Sequence, residues 1–227
     1  MNLWLALCIA GLWSSFSADT KMLTAGSSAR AVPLKQAAVK CACGKVTLSV
    51  DSPSALRLVC YCRDCRGYVN ALNEKKRMEA GKQVAASTTT TPLDPWGGAD
   101  WTQIYPGEIS VVDGAEHLRT CLIRDKSPIR RVYASCCKTP MFSVGGMSAL
   151  LNTHLLDETN KPEVKFRIVG RQALAGGGPS EEKPKISWSV PLFAWPATMI
   201  PRCKKELMEP MPVDVSNPEI LDNFKEG

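Results

Sequence analysis

Two periodicities of apolar and polar positions run along the chain. Apolar residues alternate with polar ones in KVTLSV (Lys45–Val50) and again in ALRLVCY (Ala55–Tyr61), with the turn-forming DSPS between them. Period-two alternation gives each face of a strand its own set of side chains, so the pair predicts a β-hairpin with cysteines at its outer ends. In RDCRGYVNALNEKKRMEAG the spacing changes: Tyr68, Val69, Leu72 and Met78 recur at helical intervals and Gly81 closes the run, which predicts a helix. A loop of threonines and PLDPWGG follows. Strands are then expected at WTQIY (Trp101–Tyr105), EISVV (Glu108–Val112), HLRTCLI (His117–Ile123) and IRRVYAS (Ile129–Ser135), joined by the short hairpin-like connectors PG, DGAE and RDKSP. Beyond CCKTPMFSV the pattern reads as a short helical stretch around MSALLNTHLL, a strand at VKFRIVG, a Gly/Pro-rich loop and an irregular tail.

Composition narrows the class. With 227 residues, 44% hydrophobic and 22% charged, the chain is long enough for one sizeable core of ordinary globular type. Sixteen Gly and sixteen Pro among few aromatics favour strands and turns, so the expected fold is mainly β with one or two short helices. The net charge of +6 is spread along the chain. Its longest cluster, EKKRMEAGK, reads as the solvated face of the helix, and no nucleic-acid-reading motif accompanies it.

The N-terminus has its own character. LWLALCIAGLW (Leu3–Trp13) has signal-peptide length and falls short of the about 20 apolar residues that span a bilayer. No Lys or Arg precedes it. From Ser14 to Lys40 the chain is rich in Ser, Ala and Thr and carries Lys21, Arg30, Lys35 and Lys40 against Asp19, as transit segments do. Residues 1–36 are therefore expected to be a signal- or transit-like leader, 37–200 the folded domain and 201–227 the tail.

The cysteines carry the chemistry. Of ten, Cys8 lies in the leader, and seven of the other nine form three clusters: Cys41 and Cys43; Cys60, Cys62 and Cys65; Cys136 and Cys137. Metal ions need ligands that converge on one point, and gaps of one and two residues supply them. A disulfide scaffold is the rival reading, but residues in CxC lie too close for a relaxed bridge and nine is odd. A redox CxxC at Cys62 and Cys65 suits a strand-to-helix junction, yet Cys60 puts a third thiol within reach and no βαβ pattern surrounds the pair. Zinc is the natural occupant of thiolate sites, and two sites can be assembled. One joins CxC to the SCC segment; the other takes Cys60, Cys62 and Cys65, with no obvious fourth ligand. Three protein ligands and an open position are the arrangement of a catalytic zinc. Thiolate sites also favour a reducing compartment, an organelle or the cytosol, which constrains any destination the leader encodes.

The order CACGKV, CYCRDCR, CKTPMF, spanning Val39 to Val144, resembles the glutathione-dependent formaldehyde-activating and centromere protein V family. The resemblance implies stacked twisted antiparallel sheets and about two zinc ions per chain. It assigns Cys41, Cys43 and Cys137 to a structural site and Cys60, Cys62 and Cys65 to an exchangeable or catalytic one. Where that family has CxxCGT this chain has ASCCKT, so Ala134 stands in place of the first cysteine and Cys136 is the candidate substitute. Adjacent side chains diverge on an extended strand, so the backbone has to bend there for both to bind. The implied reaction is reversible addition of a glutathione-like thiol to a formaldehyde-like aldehyde, a carbon–sulfur lyase in reverse. Arg63 and Arg66, flanking the ligands, are candidates to grip a substrate carboxylate. The competing class is a zinc-stabilised binding module without turnover. His117 and His154 read as structural, and Cys121 as a small buried hydrophobe.

Overall fold

A computed structural model describes residues 32–80, 91–145, 148–174 and 212–221. Residues 1–31 of the expected leader, the Gly/Pro-rich loop, Cys8 and Cys203 lie outside the described residues. Within them the fold is mainly β, with one substantial helix and a large mixed sheet.

The strands are β1 (Val32–Lys40), β2 (Thr47–Cys60), β3 (Ala99–Ile104), β4 (Ile109–Asp113), β5 (Leu118–Leu122), β6 (Arg130–Ala134), β7 (Thr139–Gly145), β8 (Ser148–Asn152), β9 (Val164–Ile168) and β10 (Glu219–Ile220). The helix α1 spans Arg63–Ala80. Hydrogen bonding runs in the order β1-β2-β3-β8-β7-β6-β5-β10, with β4 and β9 also on β2. Most pairs are antiparallel; β2–β9 and β5–β10 are parallel.

One strand organises the whole. The expected hairpin at DSPS is instead a single strand of 14 residues, β2. Its first half, Thr47 to Val50, pairs with β1 and β4, and its second half, Leu56 to Cys60, pairs with β3 and β9. The chain does not reverse at Pro53 because both halves find partners elsewhere. The β1–β2 register slips twice alongside this bend, where a residue without an N–H disturbs the ladder least.

Alternation then builds two cores. Strand β1, the first half of β2 and β4 form a small sheet that continues through β2 into the large one. Val46, Leu48 and Val50 pack with Leu34, Val39, Ile109, Val132, Phe142 and Leu151 between the small sheet and one face of the large one. On the opposite face Leu58, Trp101, Cys121 and Tyr133 receive Tyr68, Val69 and Leu72 of α1. Met78, expected on the packed stripe, is 60% exposed. At about 100° per residue it lies about 220° around the helix from Cys65, away from the sheet.

Three further expectations change. The SALLN stretch, anticipated as helical, is β8, because Ala149 and Leu151 face one core while Leu150 packs on the other. A strand buried on both faces reads as a continuous apolar run, which periodicity alone cannot tell from helix. The PG and DGAE connectors do not close hairpins: each forms a short 3-10 turn that carries the chain to a strand it does not pair with. Strand β1 begins at Val32, ahead of the anticipated start at residue 37, and β10 lies in the tail expected to be irregular.

Gly114 shows how tight one such connection is. It adopts φ 75°, and a Cβ there would stand 1.9 Å from the Lys45 carbonyl oxygen. Gly114→Ala is therefore expected to cost about 3 kcal/mol, combining left-handed strain with displaced backbone. Thermal melts should place the variant about 6–12 °C below wild type.

Candidate metal centres

The first centre sits where the two sheets meet. Cys41 directly follows β1 and Cys43 lies in the turn towards β2; Cys136 and Cys137 occupy the turn between β6 and β7. The four Sγ atoms lie within 4.8 Å of one another. Sulfur–sulfur separations are 3.6 Å for Cys41–Cys43, 3.9 Å for Cys41–Cys136, 3.3 Å for Cys43–Cys136 and 3.9 Å for Cys136–Cys137. Zinc–thiolate bonds of about 2.3 Å in a tetrahedron imply sulfur–sulfur edges of about 3.8 Å, so the donor set fits that ion. Cys136 does stand among the four, and the backbone bend that this needs is present: residues 135–138 form a turn in which Lys138 takes φ 57°.

Backbone and hydroxyl donors orient these sulfurs, as outer-shell hydrogen bonds do in metal sites. The Val46 N–H donates to Cys41 Sγ at 3.3 Å, and the Thr139 hydroxyl lies 3.0 Å from Cys137 Sγ while accepting from the Ala42 N–H at 3.1 Å. Burial pushes the Cys41 and Cys136 thiols up. Burial acts the same way on Cys137, but hydrogen bonds from Thr139 and the backbone overcome it and bring that thiol down to about 7.

The second centre joins the end of β2 to the start of α1. The Sγ atoms of Cys60, Cys62 and Cys65 also lie within 4.8 Å of one another. Cys60 and Cys65 are buried, at 5% and 6% exposure, and Cys62 is half-buried. Cys62 immediately precedes α1, and its Sγ accepts the Cys65 N–H at 3.3 Å, the position of an N-cap side chain. A helix N-terminus favours negative charge. Hydrogen bonds from the Cys60 and Cys65 thiols, with that backbone bond added, hold Cys62 far below the ordinary thiol range. Cys60 is driven up by sharing its proton with Cys62 and then Cys65. Cys65 rises to about 11: its bond with Cys60 lowers it, but the bond to Cys62 and burial outweigh that.

The flanking residues divide. Arg66 is buried, with Nη1 donating to the carbonyls of Tyr61 at 3.3 Å and Gln172 at 2.9 Å, which ties α1 to the loop after β9. Arg63 is exposed, its backbone N–H bonded to Gln172 Oε1 at 2.7 Å. Asp64 pairs with Arg124 through two 2.9 Å hydrogen bonds. Neither histidine belongs to a cysteine cluster, and Cys121 is fully buried. All eight described cysteines are free thiols.

Sequence reasoning missed Arg131. It shares a strand face with Tyr133, is 1% exposed and lies with its guanidinium carbon 4.9 Å from the centroid of the Tyr68 ring. Its signal was present in IRRVYAS, where alternation puts an arginine in phase with a buried tyrosine. A cavity of about 310 Å³ lies on the other face of β2, lined by Arg57, Val59, Asp94, Asp100, His154 and Arg167 among others, and no cysteine of either centre lines it. Its charges are internally paired: Arg57 forks onto Asp100 at 2.6–3.1 Å, and Arg167 reaches Asp94 at 3.4 Å.

A model described as "Family of unknown function (DUF6151)" matches residues 29–152, a span that contains both cysteine centres. A crystal structure of a Rhodobacter sphaeroides protein is similar at 17% identity and a TM-score of 0.36, covering 56% of this chain and 96% of that one. No curated protein matches.

Proposed function

The chain belongs to the family of unknown function DUF6151, and from that premise we propose that it binds two zinc ions, one closing the fold and one supporting thiol chemistry on a small aldehyde. The observation that carries this reading is the difference between the two centres: four sulfurs converge at the first, and three at the second, among the described residues. A closed set of four suits a structural ion; a set of three leaves room for an exogenous ligand. The order of the motifs CACGKV, CYCRDCR and CKTPMF, with its resemblance to the formaldehyde-activating family, supports a thiol and an aldehyde as the reactants.

When bound at the second centre, zinc lowers the pKa of a coordinated thiol and polarises a carbonyl. The chain's own residues supply the rest. Cys60, Cys62 and Cys65 would hold the ion, the Cys65 N–H fixes Cys62 Sγ, and Arg66 clamps the loop carrying Gln172 against α1. Arg63, facing solvent beside the centre, is the group of the flanking pair available to a glutathione-like carboxylate. In the reaction a carbon–sulfur bond forms between thiol sulfur and aldehyde carbon, and the thiol proton passes to the carbonyl oxygen. Nothing is oxidised or reduced.

One observation favours the second reading, a zinc-stabilised binding module: Cys60 and Cys65 are buried, and the 310 Å³ cavity opens on the opposite face of the sheet. NMR exchange spectroscopy with glutathione and formaldehyde separates the two. The enzyme reading expects adduct exchange accelerated above the protein-free rate; exchange at the protein-free rate across several thiols and aldehydes leaves the module.

A further inference from the structure

Arg131 lies inside the protein without the partner that its charge demands. Its Nη1 reaches Ser143 Oγ at 3.5 Å, while Nε and Nη2 are buried and make no hydrogen bond among the described residues. No carboxylate of the described residues pairs with it; the faces around it present Cys121 from β5, Ser143 from β7 and the ring of Tyr68 from α1. A guanidinium carries a positive charge, and burying a charge without an opposite one beside it is costly. The ring face of Tyr68 answers only part of that cost. Such an orphaned group calls for an anion.

The groups that share its layer and could take up negative charge are sulfurs. Tyr68, whose ring lies against the guanidinium, stands one helical turn beyond Cys65 on α1, and Cys60, Cys65 and Cys121 pack in the same core as Tyr68 and Tyr133, with Cys62 against it; Cys121 is also the residue opposite Arg131 on β5. A divalent ion on three thiolates carries one net negative charge, and here it would carry it in a largely buried setting. The first centre differs: Cys43 is exposed and Cys136 and Cys137 are half-buried, so water can answer the larger negative charge of four thiolates.

We propose that Arg131 is the counter-charge of the three-cysteine centre, balancing the net negative charge of a divalent ion on three thiolates and thereby setting the affinity of that centre for metal. The inference rests on the reading that both centres bind zinc. Arg131 touches no reacting atom in this account; it acts through the ligands, as a positioning residue.

The test compares wild type, Arg131→Met and Arg131→Lys, each purified with zinc and titrated against a chromophoric chelator, with cobalt substitution to count thiolates by their charge-transfer bands. Arg131→Met is expected to weaken one of the two zinc ions by about 10- to 100-fold, the usual range for losing an outer-shell partner. Its cobalt spectrum should lose the three-thiolate component first. The four-cysteine centre should keep its affinity, which reports that the variant is folded, and Arg131→Lys, retaining the charge, should recover most of the loss. Wild-type affinity at both centres in Arg131→Met overturns the proposal. So does a lysine variant as weak as the methionine one, or loss of both ions together, which would make Arg131 a folding residue. Wild-type protein that takes up fewer than two zinc ions overturns the metal reading itself, and the role of Arg131 with it.

Discussion

Cys43→Ala is expected to lower the melting temperature by about 10 °C and to release zinc from the four-cysteine centre. Cys43 is the informative ligand because it is exposed. A surface substitution that removes a few atoms normally changes stability by within about 0.5 kcal/mol, so a large effect can only come through what the sulfur binds. A structural zinc contributes about 10–16 kcal/mol in small metal-dependent domains. Losing even a third of that, about 3–5 kcal/mol, moves the midpoint of a chain this size by about 10 °C. The centre joins the β1–β2 turn to the β6–β7 turn, so its failure releases one turn from the other. Calorimetry together with zinc analysis of the purified variant checks the expectation. A melting point within about 2 °C of wild type, with zinc retained, would sink the structural role.

Cys62→Ser is expected to remove one zinc per chain and bring aldehyde–thiol exchange to background, with a change in melting temperature of no more than about 3 °C. Serine is the apt replacement. Cys62 accepts the Cys65 N–H as an N-cap, and a serine hydroxyl is among the best groups for that position. Helix α1 therefore keeps its start while the thiolate is lost, which separates metal binding from helix capping. Alanine at the same place would remove both and cost about 1 kcal/mol more. Zinc content, circular dichroism and the exchange assay on one preparation suffice. A serine variant that retains two zinc ions, or that exchanges adduct at the wild-type rate, contradicts the assignment of Cys62.

The cysteine spacing was the most legible part of the site, because convergence on an ion demands short gaps and the chain supplies three sets of them. What spacing could not say was whether Cys136 and Cys137 could both turn inward, since that depends on the bend at residues 135–138 and the left-handed Lys138. In the fold, β3, β4, β5, β6 and β9 follow the expected segments, each having residues of strand-favouring type between turn signals. Two elements escaped for the same reason. The DSPS segment looks like a turn locally, and SALLN looks helical locally, but each is decided by partners distant in sequence: β3, β4 and β9 for the first, and β3 for the second. Arg131 escaped because an arginine in a strand reads as solvated unless the layers on both sides are known.

The long strand β2 has a consequence for how this sequence can change. It leaves the turn that carries Cys43, runs through both sheets and ends on Cys60, about 45 Å later at the rise of an extended chain. Because side chains alternate, the two centres are locked in phase along it: Val46, Leu48 and Val50 face the first core while Leu58 and Cys60 face the helix. Inserting or deleting a single residue between them would invert one end relative to the other and turn Cys60 towards the wrong layer. An even change in length preserves the parity and an odd one destroys it. The two centres, with different partners and surroundings, are thus bound to a common arithmetic of strand length.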